Sequence, residues 1–288
     1  MSRLPIISQL AFISCIMISS AITSCSTNES AVTDAALTEA TANSTMSISS
    51  DSLLLDINYE TGTLNSGISN LNTTDATAAD ASYIVSPGRA GDYAIAHKVN
   101  LADSTYFSDN HFRSESATAN VPEGKHKPGD HRRYEFSLLL KDWTPYTTGM
   151  TQTGDIIFQG KLGGGGNPAW YFMTKRNSIT FRMPNENLQA TIVGDYRNHI
   201  NKWMDFKVEV LWADTPTGYY KIYSRLPGQT NYTLVWEIHD FKTWNPDNPN
   251  AVSGYLKWGL YRPNSSMANG DVQTRIIYHD EIRVYQLP

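Results

Sequence analysis

The chain has 288 residues, and its 23 basic and 28 acidic side chains give a formal charge of −5. A protein that binds polyanions through its overall charge is generally basic, so this chain could hold an acidic polymer only in a local basic groove. No basic run and no recognition-helix pattern is present, which excludes an ordinary nucleic-acid-binding module. The two cysteines, Cys15 and Cys25, are too few for a disulfide framework.

The N-terminal segment predicts export. Arg3 precedes an apolar run over residues 10–18, which is too short to span a bilayer and is typical of a signal peptide. The run ends in Ile-Thr-Ser-Cys, which resembles the lipobox of bacterial lipoproteins, where the cysteine is lipidated and becomes the first residue. We therefore expect residues 1–25 to be a lipoprotein signal peptide and Cys25 to anchor the protein to the outer membrane or cell surface. An ordinary signal peptide, and hence a secreted protein, is the alternative.

Residues 26–52 consist mainly of Ser, Thr, Ala and Asn. Such a segment buries too little apolar surface to offset its ordering entropy, so we expect a flexible tether. Residues 53–288 are rich in aromatic and β-branched side chains and have an ordinary length for a single all-β sandwich.

Apolar alternation in this domain predicts many short strands and no helix longer than about two turns. The predicted strands cover residues 53–60, 92–99, 112–115, 132–140, 156–161, 170–174, 178–183, 189–193, 206–212, 219–224, 233–238, 255–262 and 275–285. Residues 61–82 and 124–130 are expected to be surface loops. Evenly spaced strands separated by turn residues predict a β-jelly roll, a concanavalin A-like sandwich of two antiparallel sheets in one domain.

The segment 255–262 has the clearest alternation. Side chains on one of its faces are apolar and should pack on the core: Leu256, Trp258 and Leu260. The opposite face is polar and aromatic, and its glycine should leave room for a ligand to approach the backbone. This face carries Tyr255, Lys257, Gly259 and Tyr261.

Three segments together resemble the signatures of jelly-roll polysaccharide lyases. In chain order they are Arg113-Ser114-Glu115, Gln159-Gly160-Lys161 and Tyr255-Leu256-Lys257-Trp258-Gly259-Leu260-Tyr261. In alginate lyases of that fold they read Arg-x-Glu, Gln-x-His and Tyr-Phe-Lys-Ala-Gly-x-Tyr. Heparin lyase I-like and glucuronan lyases are more distant versions of this scaffold, and the resemblance spans nearly the whole chain after the tether.

One departure from the alginate-type signature concerns the histidine, which is replaced here by Lys161. A lysine at that position is similar to the jelly-roll ulvan lyases, in which a lysine is the base and a tyrosine the acid. Ulvan is a green-algal polymer of sulfated rhamnose alternating with uronic acids. The resemblance therefore favours an ulvan lyase, with alginate or glucuronan lyases on the same scaffold as alternatives.

The resemblance implies a role for each residue in an elimination that needs no cofactor. The enzyme must neutralise a uronate carboxylate, remove the proton from C5 and protonate the departing O4. Gln159 and Arg113 would bind the carboxylate, Lys161 would act as base and Tyr261 as acid. If the elimination is syn, Tyr261 would instead serve as both base and acid. Lys257 would lower the tyrosine pKa or bind an acidic group of the substrate.

Other residues have competing interpretations. We expect Glu115 to form an ion pair that orients Arg113, and we expect three further side chains to contact substrate: Tyr255, Tyr171 and Arg176. Trp170 fits groove lining and core packing equally well. Taken alone, Lys161 would be a solvated strand lysine, and three histidines are alternative bases: His97, His131 and His199.

The first and last strands of lectin-like jelly rolls often share a structural calcium ion. Glu60 and Asp280 occupy the corresponding positions here, and we predict them as ligands; two surface carboxylates are the alternative. We expect a monomer.

A non-catalytic carbohydrate-binding protein on the same fold is the rival hypothesis, because fold alone does not determine function. It gives no reason for Gln159, Lys161 and Tyr261 to occur together. A glycoside hydrolase would need paired acidic residues on one strand face, and no such set is present.

Overall fold

The computed structural model describes residues 50–150, 154–263 and 272–288. The predicted signal peptide, Cys25 and nearly all of the tether lie outside these residues. Within the described part of the chain, no helix is long and apolar enough to cross a membrane. The regular structure there consists of fifteen strands and short 3₁₀ turns.

The strands end where turn residues interrupt the alternation. Their bounds are β1 Ser52–Ile57, β2 Ser82–Val85, β3 Ala94–Asn100, β4 Phe107–Ser108, β5 His111–Ala117, β6 His131–Lys141, β7 Ile156–Leu162, β8 Trp170–Lys175, β9 Ser178–Met183, β10 Leu188–Val193, β11 Met204–Leu211, β12 Gly218–Arg225, β13 Thr233–Phe241, β14 Gly254–Arg262 and β15 Thr274–Gln286. The 3₁₀ turns are Ser104–Tyr106, Pro122–Gly124, Pro184–Glu186 and Arg197–His199.

Two antiparallel sheets contain all of these strands. The eight-stranded sheet has the order β13-β12-β11-β6-β15-β3-β2, with β1 also paired to β15. The seven-stranded sheet has the order β10-β9-β8-β7-β14-β5-β4. In each sheet the central strands pair with strands that are distant in sequence, such as β6 with β15 and β7 with β14, as in a jelly roll. The predicted all-β jelly-roll sandwich is therefore confirmed.

The core lies between the two sheets and is largely aromatic. Phe136 on β6 stacks on Phe158 on β7, with ring centroids 3.8 Å apart and planes inclined by 9°. The predicted apolar face of β14 also points into this core, since Leu256, Trp258 and Leu260 are fully buried. Contacts of this kind fix one sheet relative to the other.

Two predicted loops contain more structure than expected. The segment 61–82 was predicted to be a surface loop, but Leu71 and Ala81 are buried and β2 begins at its end. The segment 124–130 was also predicted to be an exposed loop. Its His126 is 1% exposed and stacks on Trp212 with ring centroids 4.1 Å apart. Neither loop has a periodic pattern that could have revealed this burial.

A buried ion pair joins the ends of three segments. Asp155 is 3% exposed, and its carboxylate contacts Arg262 Nε at 3.2 Å and Arg275 Nε at 3.0 Å. Arg262 is fully buried and also donates to the carbonyls of Val272 and Gln273. The polar residue that closes β14 therefore has a structural role.

Asp155→Ala is expected to lower the free energy of unfolding by about 3–5 kcal/mol, because it removes a carboxylate from two buried guanidinium groups. Urea denaturation checks this. Asp195→Ala is the matched control, since Asp195 pairs with Arg197 at the surface and should change stability little. Equal stability of the two variants would contradict the structural role of Asp155.

Candidate active site

A cavity of about 190 Å³, which we call the active cavity, opens on the face of the seven-stranded sheet that points away from the core. It collects side chains from β5, β7, β8 and β14 and from the loop after β7. The described residues that line it are Arg113, Glu115, Ile156, Gln159, Lys161, Gly166, Asn167, Pro168, Tyr171, Lys257 and Tyr261.

Strand register brings the three signature segments together at this cavity. β14 lies between β7 and β5, with Lys257 opposite Gln159 and Tyr261 opposite Arg113. Directly opposed side chains of antiparallel strands lie close together on one face. Segments about 45 and 100 residues apart in sequence thus form one continuous surface.

Glu115 is the buried centre of the polar network. Its carboxylate accepts a 2.6 Å hydrogen bond from Gln159 Nε2 and lies 2.8 Å from Lys257 Nζ. The residue is 2% exposed, so both contacts are shielded from water. The predicted ion pair with Arg113 is wrong, because Glu115 orients the Gln159 amide and the Lys257 ammonium instead. One Gln159 N–H is held by Glu115, which leaves its second N–H available to another acceptor.

Arg113 is positioned by carboxylates from loops. Its guanidinium donates to Ser108 Oγ at 3.0 Å and to Asp109 Oδ2 at 2.9 Å. Asp75 Oδ2 lies 3.9 Å from Arg113 Nε and 3.0 Å from Lys257 Nζ, so it bridges the two cations. Asp75 belongs to the predicted surface loop, and nothing in its local sequence marks it as a site residue.

Lys161 lies beneath the glycine-rich loop that follows β7, and its ammonium donates to the Gly166 carbonyl. Burial lowers the pKa of Lys161, and the nearby charge of Lys257 lowers it further. Asp247 opposes this shift, and its carboxylate also accepts a 2.6 Å hydrogen bond from the Asn167 N–H. Asp247 was not predicted as a site residue, yet it acts on both the lysine and the loop.

Tyr261 is half-buried at the edge of the cavity. Burial raises its pKa to about 12, and the charge of Glu115 adds to the shift. The charge of Lys257 lowers the pKa of Tyr261, as expected, but this effect is smaller than the increase caused by burial. The imidazole of His111, which the sequence analysis missed, lies against the phenol with ring centroids 4.8 Å apart. At neutral pH Tyr261 is therefore a protonated phenol that can donate.

Two glycines in the signature strands serve packing. A Cβ at Gly160 would lie 2.5 Å from the Trp170 indole, and Trp170 is fully buried in the core. A Cβ at Gly259 would lie 2.2 Å from the Ser114 carbonyl oxygen, and its φ of +136° is unfavourable for other residues. Gly259 thus permits close approach of β5, which corrects the prediction that it leaves space for a ligand.

Of the three further side chains predicted to contact substrate, Tyr171 lines the cavity and the other two do not. Tyr255 is opposite Lys161 in register but is not among the described residues that line the cavity. Arg176 lies at the β8–β9 turn and lines a different cavity.

None of the three alternative histidine bases lines the active cavity. Burial lowers the pKa of His97 to about 3, and its ring lies in the core, where Nε2 contacts Ser116 Oγ at 3.0 Å. His131 lies on the eight-stranded sheet, where its Nδ1 is 2.6 Å from the Pro288 carbonyl oxygen. Of Lys161 and these three histidines, Lys161 is the one that lines the cavity, and Tyr261, the alternative base for syn elimination, lines it too.

The predicted calcium ligands hold one loop from both sides. Glu60 accepts the backbone N–H groups of Asp92 and Tyr93, and Asp280 accepts those of Arg89 and Glu281. Burial raises the pKa of Asp280 to about 7. The described residues contain no cluster of three or more His, Cys, Asp or Glu side chains that could hold a metal ion. Calcium binding here remains a prediction.

If calcium binds at Glu60 and Asp280, a chelator should lower the melting temperature by several degrees, because a ligand bound to the folded state stabilises it. Differential scanning calorimetry with and without chelator checks this, and Asp280→Asn should abolish the difference. An unchanged melting temperature of the wild-type protein would remove the calcium site.

The fold is a two-sheet jelly-roll sandwich with a polar cavity on one outward face, and the class of protein follows from the family to which the chain belongs. The chain belongs to the polysaccharide lyase family, whose family model matches residues 59–283. No curated protein matches the chain significantly in sequence.

Solved structures with the same fold include two lyases. An endo-β-1,4-glucuronan lyase from the fungus Trichoderma reesei is 17% identical, with a TM-score of 0.54 over 76% of this chain and 92% of that one. A marine alginate lyase from Aplysia kurodai is 11% identical, with a TM-score of 0.54 over 82% of this chain and 100% of that one.

The binding domain of a paraclostridial mosquitocidal protein is also similar. It is 13% identical, with a TM-score of 0.51 over 82% of this chain and 49% of that one. Identities this low establish the shared fold alone. The family match, which covers most of the chain, is what identifies a lyase acting on polysaccharides.

Proposed function

We propose that the protein is an endo-acting lyase that cleaves a uronate-containing, sulfated polysaccharide of the ulvan type by β-elimination. The observation that carries the proposal is the 190 Å³ cavity, in which Gln159, Lys161 and Tyr261 line one space. An amide donor, an amine with a lowered pKa and a protonated phenol are the three groups that this elimination requires.

The substrate carboxylate is bound first by donors. Gln159 presents the N–H that Glu115 does not use, and Arg113 lines the same cavity. Neutralising the carboxylate makes the proton on C5 more acidic, because the charge that develops on deprotonation spreads into the carboxylate. Lys257 remains protonated, since Glu115 and Asp75 raise its pKa against the effect of burial. It adds a fixed positive charge beside that carboxylate.

Lys161 then removes the proton from C5, and Tyr261 protonates O4 as the glycosidic bond breaks. The lowered pKa of Lys161 increases the fraction of free amine available at neutral pH. Its ammonium is bound to the Gly166 carbonyl, so the lysine acts as base once it has lost a proton to solvent and left that carbonyl. Because its pKa is raised, Tyr261 is protonated at neutral pH and can donate its proton to O4 as the bond breaks.

The pH dependence of cleavage offers a test of Lys161 through its neighbour. Asp247 raises the Lys161 pKa, so Asp247→Asn should lower it and move the acid limb of kcat/KM to lower pH. Asparagine can still accept the Asn167 N–H bond, which keeps the loop in place. Asp214→Asn, on a loop outside the cavity, is the charge-matched control. An acid limb that moves to higher pH, or stays fixed, would contradict the assignment of Lys161 as base.

The choice of ulvan rests on the lysine in place of the alginate-type histidine. The test is the ultraviolet absorbance of the unsaturated uronate product over a panel of ulvan, alginate, glucuronan and heparin. We expect an increase with ulvan. Activity on alginate or glucuronan but not on ulvan would overturn this substrate assignment, and binding without any absorbance increase would favour a non-catalytic carbohydrate-binding protein.

The proposal includes the location of the enzyme. The predicted lipobox supports an exported lipoprotein held at the cell envelope through Cys25, with residues 26–52 as a tether. A lipid anchor would retain the lyase where released fragments can be captured. Labelling with a radioactive fatty acid tests this, and loss of label in Cys25→Ala is the expected result.

A further inference from the structure

A second and larger cavity lies on the same outward face of the seven-stranded sheet. Its volume is about 590 Å³, and it lies over β8, β9 and β10. The described residues that line it are Tyr146, Lys175, Arg176, Asn177, Ser178, Thr180, Gln189, Thr191 and Gly194. They include two cations and no carboxylate, although the chain as a whole is acidic.

The polar groups of this cavity are arranged toward a ligand. Thr180 is 3% exposed, and its buried hydroxyl oxygen has no hydrogen-bond partner among the described residues. A buried hydroxyl without a partner is costly unless a ligand or water satisfies it. At the rim, Lys175 Nζ donates to Gln189 Oε1 at 3.1 Å.

Arg176 and Tyr146 form the opposite part of the rim. The Arg176 guanidinium lies 5.9 Å from the centre of the Tyr146 ring. Asn177 fixes this tyrosine by accepting from its backbone N–H at 2.7 Å and donating to its carbonyl at 3.2 Å. A guanidinium beside an aromatic ring is suited to an anionic sugar, because the ring can stack on the sugar while the cation binds the charge.

The two cavities are connected by strand register. Tyr171 lines the active cavity and is opposite Arg182 on β9, while Thr180, two pairs along on the same face, lines the second cavity. Burial raises the pKa of Tyr171 and the nearby charge of Arg182 opposes this shift, so a cation lies between the two cavities. Neighbouring strands lie about 4.8 Å apart, so a chain crossing the strands reaches β9 within about 10 Å of β7.

We propose that the second cavity is a remote subsite that binds a sulfate or carboxylate group of the same polysaccharide chain, on a sugar beyond those held in the active cavity. Lys175 and Arg176 bind the anionic group, and the Thr180 hydroxyl donates to it or to the sugar. This inference rests on the proposed function, since it assumes an acidic polymer in the active cavity.

The test uses the double variant Lys175→Met/Arg176→Asn, because methionine keeps the apolar stem and asparagine tolerates the left-handed backbone at position 176. On polymer, its KM should rise about tenfold with kcat unchanged at saturation, the loss expected for a charge-assisted contact. On the shortest cleaved oligosaccharide, which cannot reach the cavity, its KM should equal that of the wild type. Lys221→Met, on the eight-stranded sheet, is the matched control.

Thr180→Val provides a second test in case the double variant does not fold. It removes the buried hydroxyl without changing side-chain volume, so stability should be kept or increased while polymer KM rises. An unchanged polymer KM in both variants would overturn the proposal. A fall in kcat on short and long substrates alike would also overturn it, because the cavity would then support the active site rather than bind polymer.

Two further arms separate the ligand sources and the proposed function. Chemical desulfation of the polymer should erase the difference between wild type and double variant if sulfate is bound, and should preserve it if carboxylate is bound. If ulvan is not cleaved, wild type and double variant are compared on whichever polymer of the panel is cleaved. If no polymer is cleaved, isothermal titration of each polymer decides: weaker binding by the double variant supports the subsite, and equal affinity overturns it.

Discussion

Lys161→Ala and Tyr261→Phe are each expected to lower kcat for polymer cleavage by about 10²–10⁴-fold, the contribution of a positioned general base or acid. Lys161→Ala removes the amine that contacts the glycine-rich loop, and the described residues that line the cavity include no histidine to replace it. Tyr261→Phe removes only a hydroxyl and leaves the ring packed against His111. Initial rates of absorbance increase, measured at saturating polymer, give both values.

The controls for these variants lie on the opposite sheet. Lys221→Ala and Tyr219→Phe remove the same chemical groups from β12 and should retain wild-type kcat. Melting temperatures show whether each variant is folded. Full activity in both Lys161→Ala and Tyr261→Phe would contradict the site assignment while leaving the family membership intact. Because base and acid act in one step, the double variant should lose little more than the worse single variant.

Gln159→Glu is expected to have the second largest effect, lowering kcat/KM by about 10²–10³-fold. The substitution keeps the side-chain shape but replaces the amide donor with a carboxyl group beside the buried Glu115 and the substrate carboxylate. Like charges that close either repel or share a proton, so the site no longer neutralises the uronate. The loss should be greater than that of Gln159→Ala, which removes the donor without adding an acidic group.

Protonation of the new carboxyl group provides a further check. Lower pH should partly restore Gln159→Glu activity relative to the wild type at the same pH, since the protonated form can donate a hydrogen bond. Gln189→Glu makes the same chemical change outside the active cavity and should keep activity on short oligosaccharides. A Gln159→Glu enzyme with wild-type kcat/KM would show that the carboxylate is bound elsewhere.

Much of the sheet structure could be predicted from alternation. β14 shows why: Leu256, Trp258 and Leu260 face the core as the period of two requires, and Lys257 and Tyr261 face the cavity. Two strands that the sequence analysis missed, β2 and β4, have only four and two residues. Segments this short present too few alternating positions to be distinguished from loops.

The polar network could be predicted only in part. Strand spacing placed Gln159 with Lys161, but the partner of Glu115 depends on side-chain packing across β5, β14 and β7. Asp75, Asp109 and Asp247 enter from loops, whose paths have no period. Arg176 follows β8 so closely that sequence proximity placed it in the active cavity, whereas the turn carries it to the second one.

The Phe136–Phe158 stack has a consequence for altering this enzyme by mutation. Phe158 immediately precedes Gln159, and Gly160 beside it is held against the Trp170 indole, so β7 is fixed at each step by the core. A repacking substitution beneath this strand is expected to displace Gln159 and Lys161 before it unfolds the domain. Variants selected for new substrates should therefore accumulate at Lys161, on β8 to β10 and in the loops, with Phe158 and Gly160 unchanged.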